Sequence, residues 1–199
     1  MAFLRWYFCA CIALILGLAK AQFYKQVGNK KLPYQTFTVD QSGNANFSTI
    51  QSAIDAVPSN NKYWTCIRIK AGTYREKLLI PYDKPYIILK GVAKTKTLVE
   101  WGDHDNLAQS PTFTSQADHI VAKSISFRAV DPGYITAQGR SGPYDSNGFV
   151  FKECIVHGTG STFLGRPWRG YSRVIFYDSN FTRIVEPEGW NAWSSTGFE

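Results

Sequence analysis

The chain has 199 residues, 44% of them hydrophobic and 19% charged, a balance that supports one folded domain with its own core and excludes a disordered chain. The formal net charge is +7, so polyanions are attracted to it. There is no CxxC pair, and His104, His119 and His157 lack zinc-ligand spacing, which excludes the common zinc modules.

Arg5 precedes an apolar run over 6–18, and Ala19-Lys20-Ala21 supplies a small-x-small cleavage pattern. The run is shorter than the ~20 residues of a membrane span, so 1–21 reads as a signal peptide. Residues 22–36, with Lys25, Lys30 and Lys31 around Gly28 and Asn29, read as a flexible leader. Cleavage removes Cys9 and Cys11 and lowers the net charge to +5 with the loss of Arg5 and Lys20. Cys66 and Cys154 remain, and the sequence fits either a disulfide or two buried thiols. Asn46 and Asn180 each open an Asn-x-Ser/Thr glycosylation triplet. A basic protein outside the cell meets acidic polysaccharide rather than nucleic acid.

The folded domain is expected over 37–199. Phe37, Thr38 and Val39 alternate as a strand. Ile50, Ala53, Ile54 and Val57 then fall on one helical stripe, with Ser48 as the expected N-cap and Pro58 as the stop. This helix reads as a cap over an open β core. Short strands follow at 66–70, 86–90, 97–101, 120–127, 134–138, 149–156 and 173–181, separated by Gly, Pro, Asp and Asn. The segments 120–127, 149–156 and 174–181 each run from an apolar start through a polar bend to an apolar finish. They recur roughly every 25–29 residues, a solenoid period. The pattern fits a parallel β-helix, in which each coil buries its neighbour's inward face, and leaves a β-sandwich open.

Nearly every segment from Phe37 onward resembles the plant pectin methylesterases, in the family's order. The matching strings are FTVDQSG (37–43), FSTIQSAIDAVP (47–58), GTYREK (72–77), KPYIILKG (84–91), ITAQGR (135–140), GFVF (148–151), FLGRPWR (163–169), SRVIF (172–176) and GWNAW (189–193). The resemblance implies an all-β fold, a right-handed parallel β-helix with an N-terminal capping helix. It implies a secreted, cell-wall protein acting on methyl esters of homogalacturonan, with no cofactor and no metal. Homogalacturonan is the implied partner, an inhibitor protein a second candidate, and the implied state is a monomer with neither nucleic acid nor, after cleavage, membrane as partner.

Ester hydrolysis of this kind needs a nucleophile, an acid for the leaving methanol and donors for the oxyanion. Members of the family use two aspartates, in DFIFG and QDT motifs, and neither string occurs here. In the family those motifs lie between the coil matching 125–127 and the ITAQGR coil, whereas here Phe127 runs through 128–133 directly into Tyr134. The end of the chain resembles the start of a longer family segment. Arg166 matches the family arginine that positions the nucleophile, and Trp168 the tryptophan that packs on the sugar. They are the two expected substrate-binding residues, and no catalytic residue is assigned. Asp103, Asp105, Asp118, Asp131, Asp145, Glu153 and Asp178 are the other carboxylates considered, and nothing in the sequence pairs two of them. Three readings follow: an impaired pectinesterase, a pectin-binding or decoy protein without catalysis, and an incomplete reading of a longer, active gene.

Overall fold

No strand among the described residues is long enough to bury a core alone, and the chain meets that constraint by coiling. The computed structural model describes residues 7–8, 11–13, 35–102, 111–129 and 133–197. They form a parallel β-helix with three faces.

The first face carries β3 (Gln35–Val39), β4 (Thr65–Ile69), β7 (Ile87–Gly91) and β10 (Ile120–Lys123), hydrogen-bonded in that order and parallel, and further on β13 (Phe149–Lys152) paired in parallel with β16 (Val174–Tyr177). On the second face are β5 (Gly72–Arg75), β8 (Thr97–Trp101) and β11 (Ser126–Ala129), then β14 (Ile155–His157) with β17 (Asn180–Phe181). The third face holds β6 (Leu78–Ile80) with β9 (Phe113–Ser115), and β12 (Gly133–Gln138) with β15 (Thr162–Pro167). Each pair within a face joins successive coils. Two N-terminal strands, β1 (Tyr7–Phe8) and β2 (Cys11–Ala13), run antiparallel to the rest, and β2 lies between β10 and β13.

Alternation decides which side chains enter the core. Along β7, Ile87 and Leu89 are buried while Lys90 is exposed, the period-2 pattern of a strand with one wet face. In-register pairing stacks like on like. The inward column runs Phe37, Ile67, Leu89, Ala122 in the first coils and Phe151 on Phe176 in the later ones, with those two rings stacked at 4.5 Å. Each fully buried aliphatic contributes roughly 1.5–3 kcal/mol of hydrophobic stabilisation.

Three expected strands are each two. Segments 120–127, 149–156 and 173–181 break where Ser124, Glu153 and Asp178 take left-handed φ values of 55°, 55° and 48°. These residues are the polar bends read from sequence, and they turn the chain from the first face to the second. The cost of such backbone, on the order of 1 kcal/mol each, is met by the burial on either side.

The helix α1 (Ile50–Asp55) buries Ile50, Ala53, Ile54 and, just beyond it, Val57, the stripe expected from sequence. Its N-cap is Thr49 rather than Ser48: the Thr49 Oγ1 accepts from the Ser52 amide at 3.2 Å. Two further amides that a helix start leaves unpaired are taken by a residue of the next coil. Glu76 accepts from the amides of Ile50 and Gln51 at 3.0 and 2.9 Å. At the other end Lys84 donates to the carbonyls of Asp55 (2.8 Å) and Val57 (2.5 Å). The Glu of GTYREK and the Lys that opens KPYIILKG therefore clamp the capping helix.

Candidate functional site

Strands β12 and β15 lie side by side on the third face, with Thr136 opposite Gly165 and Ala137 opposite Arg166. Their approach is close: a Cβ on Gly165 would overlap Thr136 Oγ1, so this coil-to-coil contact requires glycine. Threonines staple the pair, Thr136 Oγ1 donating to the Leu164 carbonyl at 3.0 Å and Thr162 Oγ1 to that of Gly133 at 2.6 Å.

Arg166 is only 5% exposed, yet its Nε and Nη1 have no hydrogen-bond partner. Aromatic rings surround it instead. The guanidinium carbon lies 3.9 Å from the Trp193 ring centroid, 4.4 Å from that of Tyr134 and 6.0 Å from that of Trp168, all within the reach of a cation–π contact. Tyr134 and Trp193 meet edge to face at 6.2 Å, and Tyr134 also stacks on Phe163. Trp168 and Trp193 stand 50% and 45% exposed. The result is a charged pocket floor between rings, with two donors that have no partner among the described residues. Among those residues no carboxylate lies within ion-pair distance of Arg166.

Beside this cage opens a cavity of about 210 Å³, bounded by 115–118, 137–139 and 147–149. Its polar walls are Ser115, Gln116, Asp118, Gln138 and Asn147. Gln138 is a fixed wall, since its Oε1 accepts from the Arg173 amide at 2.7 Å and its Nε2 donates to Asn147 at 2.9 Å. The Trp168 amide bonds the Gln138 carbonyl at 2.9 Å, which ties the cavity rim to the Arg166 strand. Arg140 donates to the Pro143 carbonyl at 2.6 Å and holds the loop below. The Gln and Arg of ITAQGR are therefore structural braces of the site.

The structure thus joins Arg166 and Trp168, the two residues expected from sequence, and adds Tyr134 and Trp193, which sequence reasoning did not assign. Trp193 closes the GWNAW string and Tyr134 directly precedes ITAQGR, but nothing in their spacing says that their rings meet one guanidinium. Of the other carboxylates considered, Asp103, Asp105 and Asp131 lie outside the described residues. Asp145 caps a turn: the amides of Ser141 and Asn147 hold its pKa below the ordinary carboxylate value. Glu153 pairs with Lys152 at 3.2 Å. Asp118 is exposed on the cavity rim, and Asp178 is exposed at a corner. No two of these described carboxylates form a catalytic pair at Arg166. Cys66 and Cys154 are both buried and do not form a disulfide with each other. Asn46 and Asn180 are exposed.

A family model described as Pectinesterase matches residues 36–133 and 129–198. The chain belongs to the pectinesterase family. Among its relatives, probable pectinesterase 29 of Arabidopsis thaliana is 40% identical over 96% of this chain and 80% of its own length. Probable pectinesterase 55 of the same plant is 39% identical over 81% of this chain and 74% of its own length. A solved pectin methylesterase from carrot is 21% identical, covers 80% of this chain and 77% of its own, and superposes with a TM-score of 0.48. The alignment with probable pectinesterase 29 extends over 276 positions although 96% of only 199 residues take part, so about 85 positions have no residue of this chain opposite them. The two pieces of the family match meet at 129–133, the junction at which the sequence runs from Phe127 straight into Tyr134.

Proposed function

We propose that this pectinesterase-family chain recognises de-esterified galacturonan through Arg166 and does not hydrolyse the methyl ester. The observation that carries the reading is the buried Arg166 guanidinium with Nε and Nη1 unpartnered between Tyr134 and Trp193. A buried cation without a partner is costly. Each unpartnered donor calls for an acceptor, and a carboxylate gives a guanidinium N–H its strongest, charge-assisted bond. A galacturonate ring offers that carboxylate together with C–H faces suited to the exposed Trp168 and Trp193.

Hydrolysis would need more. A nucleophile must attack the ester carbonyl, and an acid must protonate the departing methoxide. Neither aspartate motif occurs in the sequence, and Arg166 faces no carboxylate among the described residues. Among the described residues, what remains can bind the product-like acid but sets no nucleophile beside Arg166. The setting in this proposal is the plant cell wall. The apolar run over 6–18 with its Ala19-Lys20-Ala21 pattern, the net positive charge and the exposed Asn46 and Asn180 support it, and cleavage after Ala21 would take β1 and β2 away with the leader.

Titration calorimetry with trigalacturonate tests the reading. The chain is expected to bind it, and Arg166→Met to abolish binding without unfolding the protein. Equal binding by the two proteins would overturn the proposal.

A further inference from the structure

The outward row of the first face carries a second feature. In register across successive parallel strands stand Thr38, Arg68, Lys90 and Lys123, and two strand positions further on, beyond β2, stands Lys152. Adjacent strands are ~4.8 Å apart, so three cations are stacked in one column. Arg68 and Lys90 are exposed and Lys123 half-buried. Like charges directly opposite one another on neighbouring strands repel.

Elsewhere the same chain neutralises such a column. On the second face Glu100 sits between Arg75 and Arg128, in register, at 3.0 and 2.9 Å. At the edge of the first face Lys70 is paired with Asp40 at 2.7 Å. Arg68, Lys90 and Lys123 have no ion-pair partner among the described residues. Next to the cation column runs an apolar one on the same side of the strands, with half-buried Ile88 opposite both buried Cys66 and half-buried Val121 in register.

We propose that this face is a second binding surface, for a linear polyuronate laid along the helix axis across the strands. Its carboxylates would meet Arg68, Lys90 and Lys123, and the C–H faces of its sugar rings would lie on Ile88 and Val121. Charge complementarity and the in-register repeat select this partner: an extended uronate chain presents one carboxylate per ring, along one direction, on a partly apolar ribbon. The inference extends the carboxylate reading of Arg166 from a single sugar to a polymer, but it uses a different face and stands or falls separately.

The test is affinity electrophoresis of the full chain in polygalacturonate gels over a range of salt, with R68Q/K90Q/K123Q, K90E alone and Arg166→Met alongside the parent. Trigalacturonate binding is measured on the same proteins. The triple variant should bind the polymer about tenfold more weakly at low salt, with a flatter salt dependence, and should bind trigalacturonate as the parent does. K90E should weaken polymer binding in the same direction, which covers the case of a misfolded triple variant. Unchanged polymer binding by the triple variant and K90E overturns this proposal and leaves the Arg166 reading intact. Loss of polymer binding in the triple variant, with trigalacturonate binding unaffected by Arg166→Met, overturns the Arg166 reading and leaves this one. Single-stranded RNA bound as tightly as polygalacturonate, and lost equally in the triple variant, would overturn the assignment of a uronate.

Discussion

Replacing Arg166 by Met separates a ligand site from a structural keystone. Met keeps an unbranched side chain between Tyr134 and Trp193 but removes the charge and the two orphaned donors. Two cation–π contacts, at 3.9 and 4.4 Å, would be lost. At desolvated positions each is worth up to ~2 kcal/mol, so the loss is on the order of 2–4 kcal/mol. Against it stands relief of the penalty for burying a cation without an anion, which is also several kcal/mol. The two nearly cancel, and the folded state should shift by no more than about 1 kcal/mol, or roughly 2–4 °C in Tm for a chain of this size. Thermal unfolding followed by circular dichroism reads the stability, and calorimetry with trigalacturonate reads the ligand. The expected result is a near-parental Tm with binding abolished. A fall in Tm of roughly 10 °C or more would refute the reasoning, because Arg166 would then be holding the aromatic cluster together.

Glu76→Ala should cost roughly 2–4 kcal/mol, since it orphans two helix amides that now bond a carboxylate; Glu76→Gln should cost less, and denaturant titration orders the two. Gly165→Ala should destabilise by roughly 1–3 kcal/mol through overlap with Thr136 Oγ1, and Thr136→Gly in the same chain should recover part of the loss in the same titration. Removing 1–21 takes away β2 and opens the facing edges of β10 and β13. Hydrogen exchange should therefore be faster at strand amides of 120–123 and 149–152 in the 22–199 chain than in the full one, and equal protection would contradict the antiparallel strand at this seam.

The architecture was legible because solenoid coils repeat their chemistry. The polar bends at Ser124, Glu153 and Asp178 are visible in the sequence as breaks in apolar runs. What the runs do not show is that a left-handed residue there splits each into two strands on different faces. Strands β5, β6, β9 and β15 escaped notice because they are short or carry glycine: Gly72 opens β5, and Gly165 sits inside β15 for a close approach that only the folded coil creates. The helix stripe was read from its 3.6-residue period. Its caps were harder, because Glu76 and Lys84 reach it from more than twenty residues away, a relation that exists only once coils stack.

The site divides in the same way. Arg166 and Trp168 were legible as a motif resembling the family's. Tyr134 and Trp193 were not assigned, because their convergence on the guanidinium depends on β12 pairing with β15 and on the turn that brings Trp193 back over Arg166. Sequence also showed what is missing: both aspartate motifs, across a junction where the family match falls into two pieces. The account of function joins that absence to the unpartnered arginine that the structure reveals.

The most direct measurement is methanol release from highly methylesterified homogalacturonan by the purified chain, made on the same preparation that binds trigalacturonate. The account predicts binding with no methanol above the no-protein blank. Methanol release that disappears in Arg166→Met would contradict it, and would mean that a nucleophile reaches this site from residues other than those described.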